Sequence, residues 1–230
     1  MREVSIVIPN YNGKHFLEDC LTSVFAQDIE NMEVIVVDNG STDGSLEYLN
    51  AYPGVRNIAM EKNYGFCGAV NAGIKAADSD YVILLNNDTE VDKNFAKELL
   101  TAIKSDERIF SCSSKMVQFH DRTRMDDAGD YYCALGWAFG RGKGGLAENY
   151  DDQRAIFASC AGAAIYRKKM LESLGYFDEN HFAYLEDIDI GYRARIHGYK
   201  NVYAPKAVVY HVGSGFSGSA HNAFKVKLSS

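Results

Sequence analysis

The stretch YVILLNNDTE at residues 81–90 joins an apolar run to a cluster of oxygen-bearing side chains. Its first five residues have the aliphatic and β-branched content of a short buried strand. Asn86, Asn87 and Asp88 follow directly, and each offers an oxygen that can accept a hydrogen bond or bind a cation. A single residue of this kind is enough to cap the helix that is expected next. Three in succession therefore favour a functional site over a cap.

The rest of the first half alternates strands with helices. Apolar runs predict strands at 4–8, 34–37, 55–59, 81–85 and 109–117, and apolar residues at helical spacing predict helices near 15–26, 44–50, 66–77 and 92–105. Unbroken β-branched runs between helices are typical of a parallel sheet that is covered on both faces. The predicted fold class is therefore α/β, with a Rossmann-like, mostly parallel central sheet and helices on both faces.

The second half has a different character. Residues 118–154 are rich in Gly, Asp, Arg and Tyr, and GWAFGRGKGG at 136–145 is predicted to be its most flexible part. A loop of this length in a compact domain is usually functional or disordered. Order is expected again at 156–166, with helices near 168–174 and 187–197 and strands near 200–203 and 207–211. Residues 213–230 are Gly/Ser-rich and carry no evident helix terminator.

Composition and charge limit the function classes. A chain of 230 residues can bury a substantial core as a single domain. Its formal net charge of -7 argues against a general nucleic-acid binder but leaves nucleotides open as ligands. The five scattered cysteines indicate reduced thiols in a cytoplasmic compartment. No apolar stretch approaches the roughly 20 residues of a spanning helix, and we expect no signal peptide before the first strand.

Three strand ends carry polar clusters: PNYNG at 9–13, DNGSTDG at 38–44 and NNDTE at 86–90. In an open α/β sheet, ligands bind beyond the carboxyl ends of the strands, so the three clusters are expected to form one site. Asp38 can only accept hydrogen bonds, which suits a base with an N–H donor such as uracil, thymine or guanine. Equally, Asp38 could begin an Asx turn in a Gly/Ser loop.

Carboxylates and a histidine elsewhere could complete the chemistry. Asp88 is a suitable ligand for Mg²⁺ or Mn²⁺, which often take one or two carboxylates together with substrate phosphates. Glu186, Asp187 and Asp189 begin a predicted helix, where acidic residues are favoured by the helix dipole. The same residues could supply acid–base catalysis. His211 ends the last strand, and a lone histidine there is more often structural than a ligand.

Small and aromatic residues of the second half could shape a ligand site. The segment 160–164 permits either close approach of a ligand to the backbone or tight packing. The aromatic residues could form a platform for a sugar ring or pack in an ordinary way: Tyr131, Tyr132, Trp137, Phe182 and Tyr184.

Five segments, taken in order, resemble the family 2 glycosyltransferases: VSIVIPNYNG at 4–13, EVIVVDNGSTDGS at 33–45, NYGFCGAVNAGI at 63–74, YVILLNNDTEVD at 81–92, and GYFDENHFAYLEDIDIGYRARIHGYKNVYAPKAVVYH at 175–211. Within them the chain is most similar to the rhamnosyltransferase-like branch of bacterial polysaccharide synthesis. The resemblance implies a GT-A fold in one domain. Residues 1–117 would form the donor-binding half and residues 118–230 the acceptor-binding and catalytic half.

The resemblance also implies roles for individual residues. It places the following in the nucleotide and donor pocket: Pro9, Tyr11, Asp38, Asn63, Gly65, Asn71, Asn86 and Asn87, although Asn71 could simply pack a helix. Asn86-Asn87-Asp88 stands where the family has a D-x-D motif, which leaves Asp88 as the main metal ligand with His211 as the second. Glu186 and Asp187 match the family's E-D motif, whose Asp resembles the catalytic base. Trp137, Gly162 and Tyr184 are expected to bind the acceptor.

The implied reaction moves a sugar from a nucleotide-diphosphate donor, a UDP- or dTDP-sugar with dTDP-rhamnose among the candidates, to a hydroxyl group with inversion. The acceptor would be a saccharide or a lipid-linked saccharide, and the cofactor Mn²⁺ or Mg²⁺. Histidine and carboxylate ligation together suit Mn²⁺ somewhat better. The expected location is the cytoplasm, with peripheral contact at the inner face of the plasma membrane left open.

Two alternatives remain, together with one expectation about length. A nucleotidyltransferase would be expected to carry a basic, Gly-rich loop near the N-terminus, where PNYNGKHF offers only Lys14. A non-catalytic module that binds a nucleotide sugar would not need Asp187.

Similar proteins usually continue beyond the strand that ends at His211, so we expect part of the acceptor site and any membrane attachment to lie outside these 230 residues.

Overall fold

The computed structural model describes residues 2–213 and contains all the helices and strands expected before residue 118. In chain order these are β1 (Val4–Asn10), α1 (Lys14–Phe25), β2 (Met32–Asp38), α2 (Ser45–Ala51), β3 (Val55–Ala59), α3 (Gly65–Ala76), β4 (Tyr81–Leu85), β5 (Thr89–Val91), α4 (Phe95–Lys104) and β6 (Ile109–Gln118). Only the short strand β5 was not predicted. The Gly/Ser-rich tail from residue 214 onward lies outside the described residues.

The second half contributes β7 (Met125–Asp127), β8 (Asp130–Tyr132), β9 (Ala138–Gly140), a 3₁₀ turn at Ala147–Asn149, β10 (Arg154–Ile156), β11 (Ala163–Arg167), α5 (Lys168–Ser173), α6 (Glu186–Ile196) and β12 (Lys200–His211). Within residues 2–213 the main sheet has the order β10-β12-β6-β11-β4-β1-β2-β3. The pairs β3–β2, β2–β1, β1–β4 and β6–β12 are parallel, and the other three pairs on this path are antiparallel. The mostly parallel central sheet is therefore confirmed, and β11 from the second half of the chain lies between β6 and β4 within it.

Helices cover both faces of this sheet. Successive side chains of a strand point to opposite faces, so each face has apolar side chains to bury. On one face, Ile6 and Ile8 of β1 are fully buried in a core that includes Leu17 of α1 and residues of α4. On the other face, Val7 is buried in a second core with Ile74 of α3 and residues of α5 and α6. Burying each such aliphatic side chain contributes about 1.5–3 kcal/mol. These two cores hold the carboxyl ends of β1, β2 and β4 in place.

Residues 118–154 were predicted to form one long loop, functional or disordered, and the structure instead contains short strands within this segment. Residues 125–140 form β7 and the hairpin β8–β9, and a third, small core lies beneath them. This core contains Met125, Ile156 and Tyr203, and the Arg141 guanidinium lies over the Tyr203 ring at 5.1 Å. Strands of three residues are too short to show a periodic pattern, so the sequence did not reveal them.

Two further differences shape the site. The strands predicted at 200–203 and 207–211 form one strand, β12, whose register against β6 shifts between Ala204 and Val208, the stretch that contains Pro205. Proline has no N–H to donate to a sheet, which accounts for the irregularity. The unpredicted β5 pairs with the end of β12, so that Thr89 is opposite His211. This pairing brings the NNDTE segment against the last residue of the sheet.

Candidate active site

A cavity of about 480 Å³ lies beyond the carboxyl ends of the strands. It brings together most of the residues that the sequence analysis singled out: Pro9, Tyr11, Asn63, Gly65, Asn86, Asn87, Asp88, Gly162, Tyr184, Glu186, Asp187 and His211. The three polar strand ends were expected to converge, and this is the place where they do so. Pockets of this size accommodate ligands as large as a nucleotide.

One wall of the cavity is a set of side-chain amides joined by hydrogen bonds, which we call the amide wall: Asn10, Asn39, Asn63 and Asn87, with Asp38 behind them. Asn10 is buried, and its Nδ2 donates to Asp38 Oδ1 at 2.9 Å while its Oδ1 accepts from Asn87 Nδ2 at 2.7 Å. Asn39 Nδ2 donates to Asn63 Oδ1 at 3.0 Å and to the Gly65 carbonyl at 2.9 Å. Hydrogen bonds of this length satisfy buried polar groups, so the wall is formed before any ligand arrives.

Asp38 occupies a different place from the one expected. Its side chain was predicted to line the nucleoside pocket, but the residue is 1% exposed and does not line the cavity. One carboxylate oxygen accepts from Asn10, and the other accepts from the Ser41 backbone N–H at 3.2 Å. Asn39, the next residue, lines the cavity instead. Asp38 therefore supports the wall from behind in this structure.

One end of the cavity is built around His211. Its Nε2 lies 3.2 Å from Asp88 Oδ1, and its Nδ1 lies 2.7 Å from Asp126 Oδ2. All three side chains are at most 15% exposed. Burial alone would lower the pKa of His211, but hydrogen bonds to Asp126 and Asp88 and their negative charges raise it to about 9. The imidazole is thus held between two carboxylates, one on each ring nitrogen.

This end of the cavity fits a divalent cation. Two ligand atoms bound at about 2.1 Å and at right angles to each other are about 3.0 Å apart, close to the 3.2 Å between His211 Nε2 and Asp88 Oδ1. Among residues 2–213, no group of three or more His, Cys, Asp or Glu side chains has the geometry of a metal site. The described residues therefore offer Asp88 and His211 as ligands, which suits an ion that takes its remaining ligands from phosphates and water.

A cluster of buried and half-buried carboxyl groups lies at the start of α6 and in the β7–β8 segment, and we call it the acid cluster: Asp127, Asp130, Glu186 and Asp187. Burial and neighbouring carboxylates raise the pKa of Asp127 to about 7, of Glu186 to about 8 and of Asp130 to about 10. Burial also raises the pKa of Asp187, whereas hydrogen bonds from backbone N–H groups and from the protonated Asp130 carboxyl group lower it. Glu186 Oε2 and Asp130 Oδ2 are buried and have no hydrogen-bond partner among the described residues.

The backbone before α6 is strained where it enters the site. Tyr184 has a φ of 72° and Leu185 a φ of 67°, and both therefore adopt the left-handed conformation. This conformation costs a residue other than glycine roughly 1–2 kcal/mol. It turns the chain so that α6 begins in the cavity with Glu186 and Asp187 in its first turn. Strain of this kind tends to cluster at functional sites.

Several residues of the site were missed by the sequence analysis. Asp126, Asp127 and Asp130 belong to the MDDAGD stretch, which was predicted only as part of a long loop that is functional or disordered. Lys143 lies in the Gly-rich segment that follows, lines the cavity and places its Nζ 3.3 Å from Asp126 Oδ1. Repeated acidic residues in a Gly-rich segment were the available signal. Their distance from Asp187 along the chain concealed their proximity in space.

Two predicted site residues lie elsewhere. The Asn71 amide brackets the backbone of Phe177, donating to its carbonyl at 2.8 Å and accepting from its N–H at 3.1 Å. It lines a separate open cleft, so it packs α3 against the segment before α6. Trp137 is 75% exposed in the turn of the β8–β9 hairpin and is not among the residues that line the cavity.

Comparison with known proteins identifies the family. The sequence profile described as Glycosyl transferase family 2 matches residues 5–175, well over half of the chain. The chain belongs to this family. The family 2 glycosyltransferase chain is 24% identical over 214 residues to the poly-beta-1,6-N-acetyl-D-glucosamine synthase of Staphylococcus aureus, covering 90% of this chain and 49% of that protein. It thus spans about half the length of this curated relative.

Solved structures agree on the fold. GalNAc-T7, solved with UDP, GalNAc and Mn²⁺, superposes with a TM-score of 0.76 at 18% identity over 92% of this chain and 44% of that one. The mannosyltransferase PcManGT from Pyrobaculum calidifontis, solved with GDP-Man and Mn²⁺, has a TM-score of 0.67 at 18% identity over 94% of this chain and 59% of that one. The GT-A fold is therefore confirmed, whereas these names do not support the rhamnosyltransferase-like branch. Within residues 2–213, no helix is long and apolar enough to cross a membrane.

Proposed function

We propose that this chain is an inverting glycosyltransferase that moves a sugar from a nucleotide-diphosphate donor to an acceptor hydroxyl group. One observation carries the proposal: the Asp88–His211 pair and Asp187 line the same cavity beyond the strand ends. The first can hold a cation against a diphosphate, and the second can remove a proton. Membership of family 2 supports the reaction class.

The amide wall would hold the nucleoside end of the donor. Pro9 and Tyr11 line the cavity beside this wall and offer apolar surface to a ribose or a base. Because the wall is satisfied by its own hydrogen bonds, it is a rigid surface and needs no reorganisation when the donor binds. We infer a UDP- or dTDP-sugar as the donor, with dTDP-rhamnose among the candidates.

The diphosphate would lie at the other end, beside Asp88, His211 and Lys143. A divalent cation bound there, Mn²⁺ or Mg²⁺, supplies Lewis-acid stabilisation of the departing nucleoside diphosphate. Asp88 contributes a carboxylate oxygen and His211 contributes Nε2 as ligands. The Lys143 ammonium, on a side chain that is 75% exposed, adds positive charge at the mouth of the cavity. Mn²⁺ is present with a sugar nucleotide or UDP in the two solved structures named above.

Asp187 would act as the general base. Its raised pKa, caused first by burial, brings the carboxylate closer to the value at which a base is most effective near neutral pH. The base removes the proton from the acceptor hydroxyl as its oxygen attacks the anomeric carbon opposite to the leaving phosphate. No covalent intermediate with the enzyme is required, so the configuration at that carbon inverts. Glu186, the preceding residue, is a second candidate acid–base group, because burial and the Asp187 charge raise its pKa to about 8.

The acceptor would approach from the side of Gly162 and Tyr184, with Trp137 on the adjacent hairpin. A side chain added at Gly162 would come within 3.1 Å of Asn86 Nδ2, so a glycine here keeps this part of the cavity open. We infer a saccharide or lipid-linked saccharide acceptor in cell-surface polysaccharide synthesis. Such a reaction would take place on the cytoplasmic side of the plasma membrane.

The test is a panel of UDP- and dTDP-sugars incubated with saccharide and lipid-linked acceptors, with Mn²⁺, with Mg²⁺ or with a chelator. Products are identified by mass spectrometry, and their anomeric configuration by NMR. We expect metal-dependent transfer with inversion in the wild type and large losses in Asp88→Asn and Asp187→Asn. The matched control is Asp152→Asn, an exposed carboxylate outside the cavity.

Other outcomes would overturn the proposal. Nucleotidyl transfer from a nucleoside triphosphate, with release of pyrophosphate, would make the chain a nucleotidyltransferase. Tight binding of a sugar nucleotide without turnover on any acceptor would make it a binding module. Full transferase activity in Asp187→Asn would remove that residue from the role of base.

A further inference from the structure

The Asp126 carboxylate contacts His211 through the ring nitrogen that Asp88 does not contact. Its Oδ2 lies 2.7 Å from Nδ1, a distance typical of a hydrogen bond to a charged group. Asp88 Oδ1 lies 3.2 Å from the other nitrogen, Nε2. No role was predicted for Asp126 from the sequence, and the mechanism proposed above does not use it.

We propose that Asp126 is a positioning residue that holds the His211 imidazole so that Nε2 presents its lone pair beside Asp88. The inference rests on the proposed cation site at Asp88 and His211. A histidine that binds a metal through one ring nitrogen usually donates the N–H of the other to a carboxylate or carbonyl, which fixes both the tautomer and the orientation of the ring. The Asp126–His211–Asp88 geometry is that arrangement.

The sheet holds the two partners in fixed positions. Asp126 lies in β7 and His211 ends β12, and both strands pair with the last part of β6. In this register Asp127 is opposite Met116, and His211 is opposite Gln118. The backbones of β7 and β12 are therefore both paired with β6, at positions two residues apart along that strand.

The carboxylate itself has little freedom to rotate. Its side chain is 15% exposed, Oδ2 contacts His211, and Oδ1 lies 3.3 Å from Lys143 Nζ. A change of rotamer would break both contacts and leave a charge in a largely buried place. Asp126 thus combines a short hydrogen bond to the ring with a restrained side chain, which is what positioning a ligand requires.

The experiment measures Mn²⁺ affinity directly, by EPR titration of the free ion at fixed pH and without any donor. The proteins are the wild type, Asp126→Ala, Asp126→Asn, Asp88→Asn and the control Asp152→Asn, each checked for folding by near-UV circular dichroism. We expect Asp126→Ala to raise the Kd for Mn²⁺ by about 10–100-fold. Asp126→Asn should have a smaller effect because its amide oxygen can still accept from Nδ1, and Asp152→Asn should match the wild type.

A double-mutant cycle separates positioning from general stabilisation. In a His211→Ala background, Asp126→Ala should cause no further loss of Mn²⁺ affinity, because the ring that it positions is gone. An equal loss in both backgrounds would overturn the inference, since it would show that Asp126 acts on the fold rather than on His211.

The failure of this inference can be told apart from the failure of the proposed function. If Asp88→Asn and His211→Ala weaken Mn²⁺ binding while Asp126→Ala binds as the wild type does, the positioning role is wrong and the cation site stands. If none of these variants changes the affinity, the cation site itself is wrong, and the positioning role falls with it.

Discussion

The amide wall and the acid cluster face the same cavity but differ in how their polar groups are satisfied. In the amide wall, Asn10 and Asn39 make hydrogen bonds through both their side-chain oxygen and nitrogen atoms. In the acid cluster, Glu186 Oε2 and Asp130 Oδ2 are buried without such a partner among the described residues. Neighbouring carboxylates also raise the pKa of Asp127, Asp130 and Glu186.

We infer from this difference that the amide wall is a rigid surface and that the acid cluster is the reactive one. Satisfied amides stabilise the fold and keep one shape whether or not a ligand is bound. Crowded, buried carboxylates destabilise the fold, and strongly shifted pKa values are a mark of sites where protons are transferred. Removing one group at a time from the amide wall or the acid cluster should therefore have opposite effects on stability.

Replacing the proposed base should have the largest effect. We expect Asp187→Asn to lower kcat for sugar transfer by about 10²–10⁴-fold, the usual contribution of a general base. The unfolding temperature should be unchanged or higher, because the substitution removes a charge from the acid cluster. Steady-state kinetics and thermal unfolding check this. A variant that lost both activity and stability would show that Asp187 supports the fold instead.

Breaking the amide wall should act in the opposite way. Asn10→Ala removes the hydrogen bonds to Asp38 and Asn87 and leaves buried groups without partners, so we expect the free energy of unfolding to fall by about 1–3 kcal/mol. The KM for the donor should rise. Urea denaturation measures the first effect, and Asn50→Ala, at an exposed asparagine, is the control. An unchanged free energy of unfolding would show that the hydrogen bonds of Asn10 do not stabilise the amide wall.

Relieving the acid cluster should stabilise the protein. The pKa of Asp130 is raised to about 10, above the roughly 3.9 of an unfolded chain, so the folded state keeps a proton that the unfolded chain releases between these values. Stability from this group is present at low pH and declines as pH rises. We expect Asp130→Asn to raise the free energy of unfolding by about 0.5–2 kcal/mol at pH 8 and by less at pH 5.

Urea denaturation between pH 5 and pH 8 measures this difference. Asp152→Asn, on an exposed carboxylate, should show no such trend with pH. A gain for Asp130→Asn that was the same at every pH would contradict the electrostatic explanation of the acid cluster.

The smallest effect on stability is expected for a residue outside the amide wall and the acid cluster. Trp137 is 75% exposed, so Trp137→Ala should change the free energy of unfolding by no more than about 0.5 kcal/mol. If Trp137 offers a platform to the acceptor, the KM for the acceptor should rise. Initial rates at varied acceptor concentration decide the point, and an unchanged KM would remove Trp137 from the acceptor site.

The amide wall and the acid cluster also differ in how far their residues could be predicted from the sequence. The amide wall follows strands with clear apolar runs, so the sequence indicated that PNYNG, DNGSTDG and NNDTE would meet. It did not indicate that the Asn10 side chain would donate a hydrogen bond to Asp38, the residue opposite Asn10 in the pairing of β1 with β2. That depends on side-chain rotamers, on which an apolar pattern carries no information.

The acid cluster was only half predicted. Glu186 and Asp187 begin a recognisable helix, but Asp127 and Asp130 lie in or beside strands of three residues without a periodic pattern. The contact between Asp88 and His211 likewise depends on β5, another three-residue strand. Short strands are stabilised by tertiary pairing rather than by local preference, which is why these parts of the site emerged only from the structure.

We expect a divalent cation to bind at Asp88 and His211, and anomalous diffraction from crystals grown with Mn²⁺ and UDP tests this most directly. The expected result is an anomalous peak about 2.1 Å from both an Asp88 carboxylate oxygen and His211 Nε2. A peak among Asp127, Asp130 and Asp187, with none beside Asp88, would contradict it.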